Sequence, residues 1–365
     1  MPAIVHTAAK QTVDIGPFTL ECGDTLPQVE IAVETAGTLN AAKDNVILVC
    51  HALTGDAHAV GDEEQPGWWD GLIGPGRFVD TSRYFVVTMN TLGGCHGSTG
   101  PASISPDTGK PYGGDFPLVT IRDMVRAQRR CLDRLGLGEL HTVIGGSMGG
   151  MMVLEWAVMY PGHVKKVVPI ATAAALTSVA VGYNEAARHA IQSDPGFQGG
   201  HYYPGPGPVN GLAVARMIGM ITYRTEALFE KKFSRRLQEG TNSDIPSLDS
   251  LFQVGSYLRY QGEKLVHRFD ANSYLRLLKA MDTHDLARGR GSLEAALSRV
   301  KAEVLTVGIR EDLLFPYRQQ EELHRELVAA GKSSRLIGIH SDYGHDAFLV
   351  EYSDWGPQLQ QFLEE

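Results

Sequence analysis

The sequence predicts an α/β protein, a mostly parallel sheet covered by helices and interrupted by a helical insertion, and three observations predict it. Short apolar, β-branched runs alternate with helical patterns, as in strands joined by crossover helices. The strand runs are apolar almost throughout, which fits strands buried on both faces. The rhythm lapses between about Leu176 and Leu297 and then resumes.

In chain order, the strands begin at 45–50 (NVILVC) and 84–89 (YFVVTM). Thr120 and Asp123 then form a capping box, Ile121, Met124, Val125, Leu132 and Leu135 follow at helical spacing, and Gly136 is placed to end the helix. A strand at 141–144 runs into a glycine-rich turn, a helix over 148–160 is stopped by Pro161-Gly162, and 164–170 (VKKVVPI) is the next strand. The segment 176–297 holds a Gly/Pro-rich loop at 199–207 and helical patterns at 225–237 and 251–269. In the latter, Leu251, Val254, Leu258, Leu265 and Phe269 fall mostly on one face. Strands at 303–307 (EVLTV) and 334–339 (SRLIGI) and helices at 319–330 and 355–363 complete the pattern. The division expected is a core of 1–175 and 298–365 with an insertion, 176–297, that serves as a lid, a packing or dimerisation surface, or both.

At 365 residues the chain can bury a core without staples. Its 43% hydrophobic and 21% charged residues exclude disorder and a coiled-coil rod. Thirty-three basic against 42 acidic residues, net −9 with no basic cluster, speak against nucleic-acid binding. Cys22, Cys50, Cys95 and Cys131 are too scattered for a disulfide framework and read as reduced thiols. The first residues lack a basic stretch followed by an apolar one, and the longest charge-free apolar run, 167–183, contains Pro169, Thr172, Thr177 and Ser178. Neither a secretion signal nor a membrane span is expected, and the cytoplasm is the expected location.

The residues that carry chemistry are Gly145-Gly146-Ser147-Met148-Gly149, a G-x-S-x-G between strand and helix. That context makes it a nucleophile elbow, in which small neighbours let a tight turn present the hydroxyl at the carboxyl edge of the sheet. A serine needs a base, and the base an orienting acid, which in sheets of this kind follow in the order Ser, Asp or Glu, His. Asp312, past the strand EVLTV, and His345, past SRLIGI, sit where catalytic groups gather. Asp282, Asp285 and His284 in the insertion, His340, and Glu311 beside Asp312 compete with them. The oxyanion needs backbone donors. Met148 N–H, after the nucleophile, and Leu53 N–H, in the loop after NVILVC, are the candidates. His51, His58 and Asp56 lack the spacing of a metal site, so no metal is expected. The stretch 90–100 is rich in small residues and could wall a pocket, but it carries no phosphate-loop or dinucleotide fingerprint. Cys95 within it has no evident base.

Taken together, HALTGDAH (51–58), NTLGGCHGSTGP (90–101), GGSMGGMMVLEWA (145–157), RMIGMITYRT (216–225), FDANSYL (269–275), EDLLFP (311–316) and GHDAFL (344–349) resemble the homoserine O-acetyltransferase family, from about residue 12 to the C-terminus. The resemblance implies a cytoplasmic α/β-hydrolase-fold dimer, joined through the insertion, that acylates L-homoserine on the way to methionine. It implies acetyl-CoA as co-substrate and no permanently bound cofactor. It also implies a ping-pong route through an acyl-Ser147 enzyme. A zwitterionic acceptor needs a cation and an anion. Arg216 and Asp346 match the family's substrate-binding positions, with Tyr223 and Thr54 as further candidates. Arg216 could equally lie on a helix surface, and Asp346 could cap the helix AFLVEY. Met220, where many relatives have His, and His284 depart from the pattern without touching the triad. The rivals keep the triad and change the partner: succinyl-CoA as donor, serine as acceptor, a hydrolase with water as acceptor, or a binding protein on the same fold.

Overall fold

The computed structural model describes residues 9–240 and 252–365. Among the described residues are ten strands and eleven α-helices, which begin with β1 (Ala9–Thr19), β2 (Thr25–Ala36), β3 (Val46–Cys50), β4 (Ile73–Gly74), β5 (Val79–Asp80), β6 (Phe85–Met89), α1 (Ile121–Arg134), β7 (Leu140–Gly146), α2 (Met148–Met159) and β8 (Val164–Ile170). The insertion supplies α3 (Ser178–Gln192), α4 (Val209–Thr222), α5 (Glu226–Lys232), α6 (Gln253–Val266), α7 (Ala271–Asp282) and α8 (Leu293–Leu297). The chain closes with β9 (Glu303–Ile309), α9 (Tyr317–Ala329), β10 (Ser334–Ile339), α10 (Ala347–Val350) and α11 (Gly356–Glu364).

Eight strands make one sheet in the order β1-β2-β6-β3-β7-β8-β9-β10. From β6 to β10 every pairing is parallel, while β1–β2 and β2–β6 are antiparallel. The alternation of a strand sends Val46, Leu48 and Cys50 into the core on one face, and Ile47 and Val49 into the core on the other. This two-sided burial explains why these strands read as unbroken apolar runs. The β1–β2 hairpin, absent from the sequence reading, has its period broken by register shifts around Gly16. Ile15 and Phe18 are both buried three residues apart, as are Leu26 and Val29 opposite.

The capping box at α1 forms as expected, with Thr120 accepting from Asp123 N–H and the Asp123 carboxylate accepting from Thr120 N–H. Gly136 takes φ +68 just past the helix end. Helix α2 is buried on nearly all sides. Two insertion helices are shorter than predicted. The 225–237 pattern ends as a helix at Lys232, with Ser234 at φ 48, and α6 stops at Val266, three residues before Phe269. Leu251 lies outside the described residues. Leu265 and Phe269 are nonetheless buried in the common core, and Leu258 is buried as well.

Within the insertion, α3 packs on α4 and α7, and α4 on α6. A buried carboxylate ties the insertion to the core. Glu155 of α2 accepts from Arg122 Nε at 2.9 Å and from Arg290 Nη1 at 3.1 Å, with the buried His284 ring beside it. Arg122 also donates to the carbonyls of Asp285 and Arg288. The helix that follows Ser147 is thus anchored to the residues that close the insertion. Among the described residues, no helix is long and apolar enough to cross a membrane.

Candidate active site

Ser147 occupies the turn between β7 and α2 at φ 58, ψ −124, a strained backbone that persists because its surroundings hold it. Its N–H donates to Ile170 O at 2.9 Å, and its carbonyl accepts from Thr172 Oγ1 at 2.9 Å. A Cβ at Gly149 would lie 2.1 Å from the Cys50 carbonyl oxygen, and one at Gly145 2.6 Å from the same atom. Only glycine lets the turn lie this close to β3.

Asp312 and His345 come together from the ends of β9 and β10. Asp312 Oδ1 accepts the N–H groups of Leu314 and Phe315, both at 2.8 Å, which leaves Oδ2 to accept from His345 Nδ1 at 2.6 Å. That bond places the ring proton on Nδ1 and leaves Nε2 with its lone pair. The imidazole stacks on Phe315 at 5.1 Å and meets Phe348 edge-on at 5.5 Å, so its plane is fixed. Burial would lower the His345 pKa. The charge and hydrogen bond of Asp312, helped by Asp346, outweigh burial and hold it above its ordinary value. Ser147 and His345 line one cavity of about 350 Å³ with no hydrogen bond between them.

Both expected oxyanion donors are available, since neither Leu53 N–H nor Met148 N–H has an acceptor among the described residues. The Leu53 loop is shaped by His51, whose Nδ1 donates to Ala52 O at 2.7 Å and whose Nε2 accepts Thr91 N–H at 3.0 Å. Both nitrogens are occupied, as are those of His58, against Glu34 and Gln65 O. Among the described residues, no group of His, Cys, Asp and Glu side chains is disposed to hold a metal.

The competing candidates lie elsewhere, in contacts of their own. Glu311 pairs with His340 at 2.7 Å, and Asp282 pairs with Arg188 and Asn184. Asp285 caps a turn through Ala287 N–H. Burial pushes the Cys95 thiol up to about 12, which leaves it a poor nucleophile.

Arg216, Asp346, Tyr223 and Thr54 all border the Ser147 cavity. Arg216 lies over the Tyr223 ring at 5.8 Å, and that ring sits 5.8 Å from His345. Asp346 precedes α10 but makes no capping bond; its Oδ2 accepts from Arg224 Nε at 3.2 Å instead. Thr54 is held by Arg268, which donates to its carbonyl at 2.7 Å. The sequence reading missed the places of Asp56, Trp68 and one face of α6 continued past its end, Gln261, Lys264, Leu265 and Arg268, on this cavity, and missed Arg224, which reaches it only through Asp346. The spacing i, i+3, i+4, i+7 marks that face as a stripe, but only the fold shows that it borders the cavity.

A family model described as alpha/beta hydrolase fold matches residues 45–352. A homoserine O-acetyltransferase of Symbiobacterium thermophilum is 52% identical over 353 residues, 96% of this chain and 92% of that protein. The crystal structure of homoserine O-acetyltransferase from Bacillus anthracis superposes with TM-score 0.93 at 33% identity, covering 99% of both chains. The crystal structure of esterase E22 is also similar, with TM-score 0.90, 32% identity, and 98% of this chain and 100% of that one covered.

Proposed function

The chain belongs to the homoserine O-acetyltransferase family of α/β-hydrolase-fold acyltransferases, and from that premise we propose that it moves an acetyl group from acetyl-CoA to the hydroxyl of L-homoserine. The observation that carries the reading is the Asp312–His345 pair opening, with Ser147, into one cavity. Ser147 Oγ attacks the thioester carbonyl while His345 Nε2 takes its proton, and Asp312 keeps the imidazole in the required tautomer. Leu53 N–H and Met148 N–H take the charge of the tetrahedral oxygen. As the C–S bond breaks, His345 returns the proton to sulfur and CoA leaves an acetyl-serine behind. Homoserine then gives its hydroxyl proton to His345 and attacks the ester. The C–O bond to Ser147 breaks, and the serine recovers the proton.

In this reading Arg216 meets the acceptor carboxylate and Asp346 its ammonium, with Arg224 fixing the Asp346 carboxylate from behind. Tyr223 packs the imidazole, and Thr54 steadies the Leu53 loop. The enzyme is cytoplasmic and serves methionine synthesis, and it needs no resident cofactor. Exposed Val179, Tyr183, Val214, Ile221 and Tyr260 on the insertion helices offer an apolar surface for a homodimer.

A second reading, ester hydrolysis with water as acceptor, draws on the similarity to esterase E22. Thiol release from acetyl-CoA and succinyl-CoA, each with L-homoserine, L-serine or no acceptor, separates the readings. Fast release that requires acetyl-CoA and homoserine together is the expected outcome. Equal release without acceptor would make the protein a hydrolase.

A further inference from the structure

The Ser147 cavity runs from a buried floor to a charged rim. Ser147 and His345 at the floor are 5% and 3% exposed, whereas Lys264 and Arg268 are exposed side chains. Three cations, Arg216, Lys264 and Arg268, border it against two carboxylates, Asp56 and Asp346, and the latter is already paired with Arg224. Neither Lys264 nor Arg268 has a carboxylate within ion-pair distance among the described residues. Arg268 is positioned by Thr54 instead. Partial burial and then the charge of Arg216 lower the Arg268 pKa, and the Asp56 carboxylate only partly offsets them. In a protein of net charge −9 this rim is a local reversal of sign, and such a reversal gathers anions at a cleft. Arg268 also borders a second hollow of about 300 Å³.

We propose that Lys264 and Arg268 form the phosphate-binding subsite for the nucleotide end of the acyl donor, leaving Arg216 deeper in the cavity for the acceptor. The inference rests on the acyl-CoA reading above. A thioester seated at Ser147 would lead its arm out along the face of α6, past Gln261 and Leu265, to these two cations. Guanidinium and ammonium groups bind phosphate oxygens through charge-assisted hydrogen bonds, and a guanidinium already oriented by Thr54 loses little freedom in doing so.

The test compares acetyl-CoA with acetyl-pantetheine, which carries the same thioester without phosphates. The KM ratio of the two donors is the readout, because damage to the fold moves both values together. In Lys264→Glu the ratio should rise by about tenfold or more, and Lys264→Arg should restore it. Arg268→Ala should raise the ratio as well, whatever it does to kcat through Thr54. Calorimetric binding of adenosine 3′,5′-bisphosphate should weaken in step and fall with added salt. An unchanged ratio in both variants, or bisphosphate binding indifferent to them, would overturn the subsite. If the wild-type protein bound the bisphosphate through these residues but released no thiol from acetyl-CoA, the acetyl-transfer reading would fail and the subsite would stand.

Discussion

Replacing Asp312 by Asn removes one charge while keeping the shape, and the surrounding bonds determine how the site responds. Oδ1 accepts two backbone N–H groups, from Leu314 and Phe315, so the amide oxygen must occupy that position. The amide nitrogen then faces His345 Nδ1, 2.6 Å away in the native pair, and presents a donor where the carboxylate presented an acceptor. Nδ1 has to become an acceptor, the proton moves to Nε2, and the ring can no longer take the Ser147 proton. A wrong tautomer of this kind costs about 10⁴-fold in kcat, or roughly 5 kcal/mol at 1.36 kcal/mol per decade. The loop bonds survive, so stability should fall by no more than about 1–2 kcal/mol. Asp312→Ala should differ in kind, because it orphans two buried N–H groups at about 1–3 kcal/mol each. Thiol release with homoserine reads the first quantity and urea unfolding the second. An Asp312→Asn protein within tenfold of wild-type activity would refute the tautomer argument.

Three further outcomes are expected. Arg216→Ala and Asp346→Ala should slow acetyl transfer to homoserine while leaving the first burst of CoA release intact; equal loss of both half-reactions in stopped-flow traces would assign them a structural role. Gly149→Ala should place a methyl 2.1 Å from the Cys50 carbonyl oxygen, and since backbone must yield there, a destabilisation of about 1–3 kcal/mol with loss of acylation should result; a native unfolding midpoint would contradict the close approach. The proposed acylation would require neutral His345, whose pKa lies above its ordinary value. Activity should therefore be lost as pH falls through a midpoint above about 6.5, and an acid limb centred well below that value would show that another group controls the rate.

The central strands, the turn at Ser147 and the pairing of Asp312 with His345 were legible in the sequence because each leaves a local mark. Ser147, Asp312 and His345 each stand at the end of an apolar run, and the topology brings the ends of adjacent parallel strands to one edge. The β1–β2 hairpin was not legible, because irregularities around Gly16 break its alternation. Glu155 was equally silent. A single carboxylate within GGMMVLEWAVMY gives no hint that Arg122 and Arg290, distant in sequence, converge on it. The cavity contributions of Lys264 and Arg268 depend on how the insertion helices cross the mouth of the sheet. That geometry is set by packing among Leu258, Leu265, Phe269 and their neighbours rather than by any motif.

The most direct test of acyl transfer through Ser147 is the intact mass of the protein after brief exposure to acetyl-CoA without acceptor, with peptide mapping of the product. A gain of one acetyl group on Ser147 is predicted, discharged when L-homoserine is added and absent from Ser147→Ala. Transfer to homoserine by the Ser147→Ala protein, or an acetyl group carried on another residue, would contradict it.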